Sequence, residues 1–187
     1  RLPATLTVML PILILDAVLA IPLALAVAAV RGSLTDRAIM VVTTVALSIS
    51  FLVYVIVGQW LFAFRLGWFP VQGWSPDLWT NLVTYAPLPV LLAVLVGVSP
   101  QTRLYRSFFL DEIGQDYVRT ARAKGLTERA ILLRHVLPNA MIPILTHIGI
   151  QLPGIFVGSF LIEVFFSIPG IGREVLLAVN RSDYPVI

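Results

Sequence analysis

The sequence predicts an all-α protein that crosses a membrane several times, and three observations lead to this fold class. Hydrophobic residues make up 58% of the chain and charged residues only 12%, whereas charged residues form about a quarter of a soluble domain. Several apolar stretches are long enough to cross a hydrocarbon core of about 30 Å as helices. Polar residues concentrate between these stretches, above all in residues 115–138, which hold five of the thirteen Lys and Arg residues. The chain is therefore predicted to be a polytopic membrane protein.

Four apolar stretches are the predicted spans: residues 5–30, 38–64, 82–98 and 141–165. The first contains Pro11, Asp16 and Pro22, which are tolerated in a membrane helix where neighbouring helices supply partners. Asp16 is therefore expected to face the interior of the helix bundle. The third span is the shortest, and its prolines favour a helix that bends and extends past Ser99 into the polar region.

The distribution of basic residues orients the chain in the membrane. Nine lie between the first and second spans or between the third and fourth: Arg31, Arg37, Arg103, Arg106, Arg119, Arg122, Lys124, Arg129 and Arg134. Four lie on the other side: Arg1, Arg65, Arg173 and Arg181. Because loops rich in Lys and Arg stay in the cytoplasm, residues 103–138 form a predicted cytoplasmic loop, and residues 65–81 and 166–187 are expected outside.

A turn at Gly125 is predicted to separate two short helices within the cytoplasmic loop. Lys124 and Gly125 are typical of a helix C-terminus, because a cation suits the negative end of the helix dipole and Gly adopts the left-handed cap without strain. Thr127 is then a typical N-cap, and Glu128 falls in the first turn of the second helix. A rigid helix, turn and helix is expected here.

The first of these helices is expected to be amphipathic. Ile113, Tyr117 and Ala121 recur at four-residue spacing, which predicts that they share one helical face. One interpretation of such an element is a surface anchor whose arginines bind anionic lipid. The motif around it favours a different interpretation.

The stretch RTARAKG, residues 119–125, is followed at a fixed distance by Leu137 and Pro138. This pattern resembles the cytoplasmic "EAA" loop of the membrane subunits of ABC importers, in the variant of peptide and nickel permeases. Three further stretches are similar to that branch: RLPATL at the N-terminus, RLGWFPVQGW from Arg65, and FFSIPGIGREVL with SDYPVI at the C-terminal end. Arg119 and Thr120 replace the generic Glu and Ala of the motif, as is normal in the peptide branch, and His135 replaces an aliphatic residue.

The resemblance implies a type I ABC importer transmembrane domain, of which this chain carries about four to five of six spans. It implies a permease subunit that couples ATP hydrolysis by a separate subunit to solute translocation, for peptides, by alternating access in the bacterial cytoplasmic membrane. The implied partners are two ATP-binding cassette subunits, a second permease chain that is related but not identical, and a periplasmic or lipid-anchored solute-binding protein. ATP is bound by the partner subunits, so no cofactor is expected in this chain.

The resemblance also assigns roles to residues. Those that couple to the ATPase are expected to be Tyr117, Arg119, Thr120, Ala121, Arg122, Lys124, Gly125, Leu137 and Pro138. In this family the loop docks in a cleft of the ATPase, so the apolar face is expected to fill that cleft while the cations fix the register. Asp16 and Glu163 are candidates for translocation or gating, because acids within spans are functional candidates. A hydrogen bond to a neighbouring helix is an equally good interpretation of Asp16.

Other function classes find little support in the sequence. The chain has no Cys, no phosphate-binding loop of the G-x-x-x-x-G-K-[ST] type, and no converging nucleophile, base and acid, so it is predicted to be neither the ATPase nor another enzyme. His135 and His147 lack the spacing of a metal site. The net charge of +3 comes from basic residues beside the spans, which disfavours nucleic-acid binding. A secondary transporter without an ATPase remains the alternative, although no internal repeat is visible.

Overall fold

The computed structural model describes residues 1–157 and 160–182. Residues 183–187, which hold most of the SDYPVI stretch and the end of the predicted outer segment, lie outside the described residues. Regular structure within the described ranges is helical throughout. The all-helical prediction is therefore confirmed.

Ten α-helices follow one another in the described ranges: α1 Leu2–Ala29, α2 Leu34–Ser48, α3 Phe51–Gly58, α4 Leu78–Thr80, α5 Pro87–Ile113, α6 Asp116–Ala123, α7 Glu128–Ile131, α8 Leu137–Val157, α9 Phe160–Phe165 and α10 Ile171–Arg181. Three π-helical segments extend α3, extend α4 and join α7 to α8: Gln59–Arg65, Asn81–Tyr85 and Leu132–Val136. Each of the last two ends two residues before a proline, Pro87 or Pro138. Proline lacks the N–H that an α-helical bond needs, and π-helical bonding shifts the hydrogen-bond register there.

Among the described residues, three helices are long and apolar enough to cross a membrane: α1, α5 and the continuous helix Glu128–Ile155. The predicted span 38–64 is interrupted at Ile49 and Ser50, and it gives a fourth span if α2 and α3 with its extension count together. Helix α5 continues past Ser99 and Pro100 to Ile113, so this helix carries the chain from the apolar region into the polar loop.

One compact unit comprises Arg1–Leu15, Ile49–Val96 and the described residues from Gln151 onwards. Side-chain amides hold its loop structure. The Gln59 amide donates to the carbonyl oxygens of Val71 and Phe165, at 3.3 and 3.2 Å. Asn81, which is buried, bonds both the N–H and the carbonyl oxygen of Ser75 at 2.7 Å. The predicted outer segment 65–81 is thus fixed by specific bonds despite its lack of long helices.

The other compact unit comprises Asp16–Ser48 and Gly97–Ile150. A continuous hydrophobic core runs through it, formed by Ala20, Ala24, Ala28, Tyr105, Phe109, Val118, Ala121, Ile131, Val136, Ala140 and Ile144. The three alanines recur every four residues, so they share one face of α1 and allow neighbouring helices to approach closely. This core includes residues of the polar loop as well as residues of the long helices.

Candidate functional site

Helix α6 is fixed to the protein by its apolar side. Val118 is fully buried and Ala121 is 6% exposed, and both belong to the core that also contains Tyr105 and Phe109 of α5. A close-packed core transmits displacement because it has little free volume. Movement of α6 therefore requires movement of the helices that share this core.

The prediction that Ile113, Tyr117 and Ala121 share one helical face is wrong. Helix α5 ends at Ile113, and the break at Gly114 and Gln115 separates it from α6, so the four-residue spacing does not run along a single helix. Tyr117 is 36% exposed, and its hydroxyl donates to Glu112 Oε2 at 2.6 Å. Ala121, which was expected on the face that fills the ATPase cleft, is instead buried with Val118 in the chain's own core.

The outward side of α6 is polar with two apolar contributions. Arg119 pairs with Asp116 at 3.1 Å, and the Thr120 hydroxyl donates to the Asp116 carbonyl oxygen at 3.0 Å. Leu126, just beyond the turn, is 43% exposed, and Tyr117 is the second apolar contribution. Sequence reasoning missed Leu126 and Asp116. The available indication for Leu126 was its position as an apolar residue directly after the turn glycine, Gly125.

The predicted turn geometry is confirmed. Gly125 has φ of +78°, in the left-handed region that side chains disfavour. The N–H of Gly125 donates to the Arg122 carbonyl oxygen at 2.9 Å and that of Leu126 to the Ala121 carbonyl oxygen at 3.3 Å. Thr127 Oγ1 accepts from the Ala130 N–H at 3.4 Å, as an N-cap does.

An ion pair spans this turn. The Arg122 guanidinium donates to both Glu128 oxygens, at 2.7 and 3.1 Å, and this hydrogen bonding raises the pKa of Arg122. The pair is solvent-exposed, so its contribution to stability is about 0.5 kcal/mol. Its main consequence is geometric, since the two-point contact fixes α6 relative to α7.

Leu137 and Pro138 lie where the loop passes into the long helix α8. The π-helical segment Leu132–Val136 ends there, with the Leu137 N–H bonded to the Leu132 carbonyl oxygen. Val136 is fully buried, and Leu137 packs against the same core as α6. The Leu-Pro pair therefore forms a continuous helical connection between the loop and the predicted fourth span.

Asp16 faces the protein interior, as predicted, with 5% exposure. Its Oδ2 accepts from Gln101 Nε2 at 3.3 Å, and its Oδ1 has no hydrogen-bond partner among the described residues. Gly97 makes room for the carboxylate, since a Cβ there would lie 2.3 Å from Oδ2. The structure therefore supports the interpretation of Asp16 as an interhelical hydrogen-bonding residue through Oδ2, but this interpretation does not account for Oδ1.

A polar chain continues from Asp16 across three helices. The Tyr105 hydroxyl donates to Gln101 Oε1 at 3.3 Å and lies 3.3 Å from His147 Nδ1. Because one hydroxyl carries one proton, Nδ1–H of His147 is the donor of that contact when Tyr105 donates to Gln101. Sequence reasoning missed Gln101 and Tyr105, since nothing in their spacing links them to Asp16.

Glu163 is fully buried and both of its oxygens are bonded. Oε1 accepts from Thr5 Oγ1 at 2.7 Å and Oε2 from the Arg173 N–H at 2.9 Å. Thr5 Oγ1 in turn accepts from the Ile171 N–H at 2.9 Å. The N-cap of α10 is Gly170, which has no side chain, so Thr5 and Glu163 together bond the first N–H groups of α10 in its place.

Comparison with known proteins agrees with this architecture. The family model described as "Binding-protein-dependent transport system inner membrane component" matches residues 20–187. The di/tripeptide transport system permease protein DppB of Pseudomonas aeruginosa is 34% identical over 179 residues, covering 84% of this chain and 53% of the relative. The oligopeptide transport system permease protein AppB of Bacillus subtilis is 34% identical over 192 residues, covering 100% and 60%. The glutathione transport system permease protein GsiC of Salmonella typhimurium is 41% identical over 127 residues, covering 68% and 40%.

The chain spans about half the length of the curated relatives it matches. Its resemblance to the peptide and nickel branch of ABC importer permeases is confirmed by these matches. The chain belongs to the family of inner-membrane components of binding-protein-dependent transport systems.

Proposed function

We propose that this chain is the membrane-spanning permease subunit of an ATP-driven importer in the bacterial cytoplasmic membrane, and that its solutes are peptides. The family match supports the transport role. The relatives named for di/tripeptide, oligopeptide and glutathione transport support the solute class. The chain itself needs no catalytic group or cofactor in this role, because ATP is bound by partner subunits.

One observation carries the coupling mechanism. Val118 and Ala121 of α6 are buried in a core that also contains residues of α1, α5 and α8, while the opposite side of α6 is exposed. A force on the exposed side is therefore passed to the long helices through packed side chains. The Arg122–Glu128 pair and the caps at Gly125 and Thr127 stiffen the element, so that less of the displacement is absorbed within the loop.

The surface that meets the ATPase differs from the one expected from the motif. Tyr117 and Leu126 supply apolar contact, and Arg119 and Lys124 flank them. The apolar side of α6 does not meet the ATPase in this proposal. It connects the loop to the long helices, together with Ala121 and Leu137, through the hydrophobic core. The family loop thus divides into an outer contact surface and an inner transmitting surface.

The proposed assembly contains two ATP-binding cassette subunits, a second, related permease chain and a solute-binding protein. Residues 65–81 and 166–182 form the surface proposed to receive the solute-binding protein outside. ATP and the loaded binding protein switch the central path between inward and outward openings, because a ligand shifts a conformational equilibrium only through different affinities for its states.

Replacing Gly125 tests the coupling role. Proline cannot adopt φ of +78°, so Gly125→Pro should lower ATP-driven peptide uptake by the full-length permease by about tenfold, equal to about 1.4 kcal/mol in a barrier. Recovery of the ATPase with the tagged permease in mild detergent should fall in parallel, while membrane insertion is kept.

Gly67→Pro is the matched control, because Gly67 also has positive φ, +64°, and open space around it, but lies in the predicted outer segment. It should leave ATPase recovery unchanged. Normal uptake and ATPase recovery in Gly125→Pro would refute the coupling role. Absence of any ATPase with the wild-type permease would favour a secondary transporter.

A further inference from the structure

A cleft of about 460 Å³ lies between the C-terminal end of α1 and residues 113–132 of the predicted cytoplasmic loop. Three arginines line it, Arg31, Arg122 and Arg129, together with a single acid, Glu128. The arginines outnumber the acid, so the residues that line the cleft carry a net positive charge.

Two of the three arginines are available to a ligand. Arg122 is held by Glu128 through two hydrogen bonds. Arg31 and Arg129 are exposed and form no ion pair with any other described residue. The cleft therefore presents two guanidinium groups whose planar N–H donors match a phosphate group.

Asp36, an acid outside the cleft, is paired with Arg106 and not with Arg31. Asp36 forms no ion pair with Arg31, although the two charges attract each other. Its two oxygens already accept hydrogen bonds from Arg106, at 2.9 and 2.8 Å. The excess positive charge of the cleft lining is therefore not cancelled by an ion pair to Asp36.

The remainder of the cleft wall is apolar. Ala28, Ala29, Ile113 and Leu132 contribute it, and Ile113 and Leu132 pack against the hydrophobic core. Since α1 is a candidate span that ends at Ala29, the cleft lies at the boundary between hydrocarbon and headgroups. A ligand with both a phosphate and an acyl chain satisfies the arginines and the apolar wall together, whereas free phosphate satisfies only the arginines.

We propose that this cleft binds an anionic phospholipid, with its phosphate between Arg31 and Arg129 and its glycerol and upper acyl chain against Ala29, Ile113 and Leu132. Basic pockets at the cytoplasmic ends of membrane helices favour such headgroups. The proposal requires only that α1 spans the membrane with this end in the cytoplasm. It does not rest on docking of an ATPase, since the residues assigned to that contact, Tyr117, Arg119, Lys124 and Leu126, do not line the cleft.

Lipid binding to the full-length permease tests the proposal. Native mass spectrometry in mild detergent can follow phosphatidylglycerol added in competition with phosphatidylcholine. Because each arginine near an anionic surface contributes about a fivefold change in affinity, Arg31→Gln combined with Arg129→Gln should lower phosphatidylglycerol affinity by about 25-fold. Phosphatidylcholine binding should not change.

Two further variants separate this site from a general charge effect. Arg37→Gln combined with Arg134→Gln removes the same charge from exposed arginines that do not line the cleft, and phosphatidylglycerol affinity should be kept. Ala29→Phe fills the cleft at an exposed position without a change of charge, and it should weaken phosphatidylglycerol binding although all arginines remain.

The proposal is overturned by any of three results. These are equal losses in the two arginine pairs, no preference of the wild type for phosphatidylglycerol, and displacement of the lipid by inorganic phosphate at comparable concentration. The last result would identify the occupant as a free phosphate.

Discussion

Asp16 and Glu163 are both acids within predicted spans, and both are buried, but their hydrogen bonding differs. Both oxygens of Glu163 accept short hydrogen bonds, at 2.7 and 2.9 Å. Asp16 accepts one long bond at 3.3 Å, and its other oxygen has no partner in the described ranges. A buried acid whose bonds are complete holds the structure together, while one with a free oxygen keeps the capacity to bind something else.

The two acids also bond different parts of the structure. Glu163 and Thr5 bond the start of α10, which lacks a side-chain cap of its own. Asp16 begins a chain of polar groups that continues through Gln101 and Tyr105 to His147. We interpret Glu163 as an anchor of α10, whereas a role of Asp16 in translocation stays a prediction.

The largest expected effect is on Glu163. In Glu163→Met, a side chain of similar size that offers no strong acceptor replaces the carboxylate, so the Thr5 hydroxyl and the Arg173 N–H both lose their acceptor, which costs about 2–3 kcal/mol. The thermal unfolding midpoint of the purified full-length permease should fall accordingly. Glu174→Gln is the control, since Glu174 pairs with the exposed Arg1 and its loss should cost about 0.5 kcal/mol. Equal effects of the two variants would contradict the anchoring role of Glu163.

A smaller effect is expected from crowding Asp16. Gly97→Ala places a Cβ 2.3 Å from Asp16 Oδ2, and overpacking of this kind costs about 2 kcal/mol. Gly149→Ala is the control, because nothing lies within 4 Å of its added Cβ in helix α8. Combining Gly97→Ala with Asp16→Ala should recover much of the lost stability, measured by a double-mutant cycle. Additive losses would show that the two residues do not press on each other.

The smallest expected effect on stability is that of Asp16→Asn. Oδ2 can remain the acceptor for Gln101, and the new NH₂ group takes the place of an oxygen that already has no partner among the described residues, so one unsatisfied buried group replaces another. The free energy of unfolding should therefore change by less than about 0.5 kcal/mol.

Peptide uptake should respond to the same substitution if Asp16 acts in translocation. Uptake is expected to fall by about tenfold, or about 1.4 kcal/mol in a barrier, while the protein stays folded. Unchanged uptake with unchanged stability would leave Asp16 as an interhelical hydrogen-bonding residue.

Features that depend on neighbouring residues could be predicted from the sequence. Membrane class follows from summed hydropathy, and the caps at Gly125 and Thr127 depend on hydrogen bonds within about four residues. The face of α6 could not be predicted in this way, because a break at Gly114 changed the helical register and a core built from four separate segments selected Val118 instead of Tyr117.

The sequence alone determined the membrane class, the family pattern and the local conformation of the loop, since these depend on composition and short-range geometry. Only the tertiary structure decided which acids are bonded and which arginines stay free. Glu163 meets Thr5 across 158 positions of sequence, and Asp16 meets Gln101 across 85. Contacts at such separations follow from the packing of whole helices, and no local pattern specifies them.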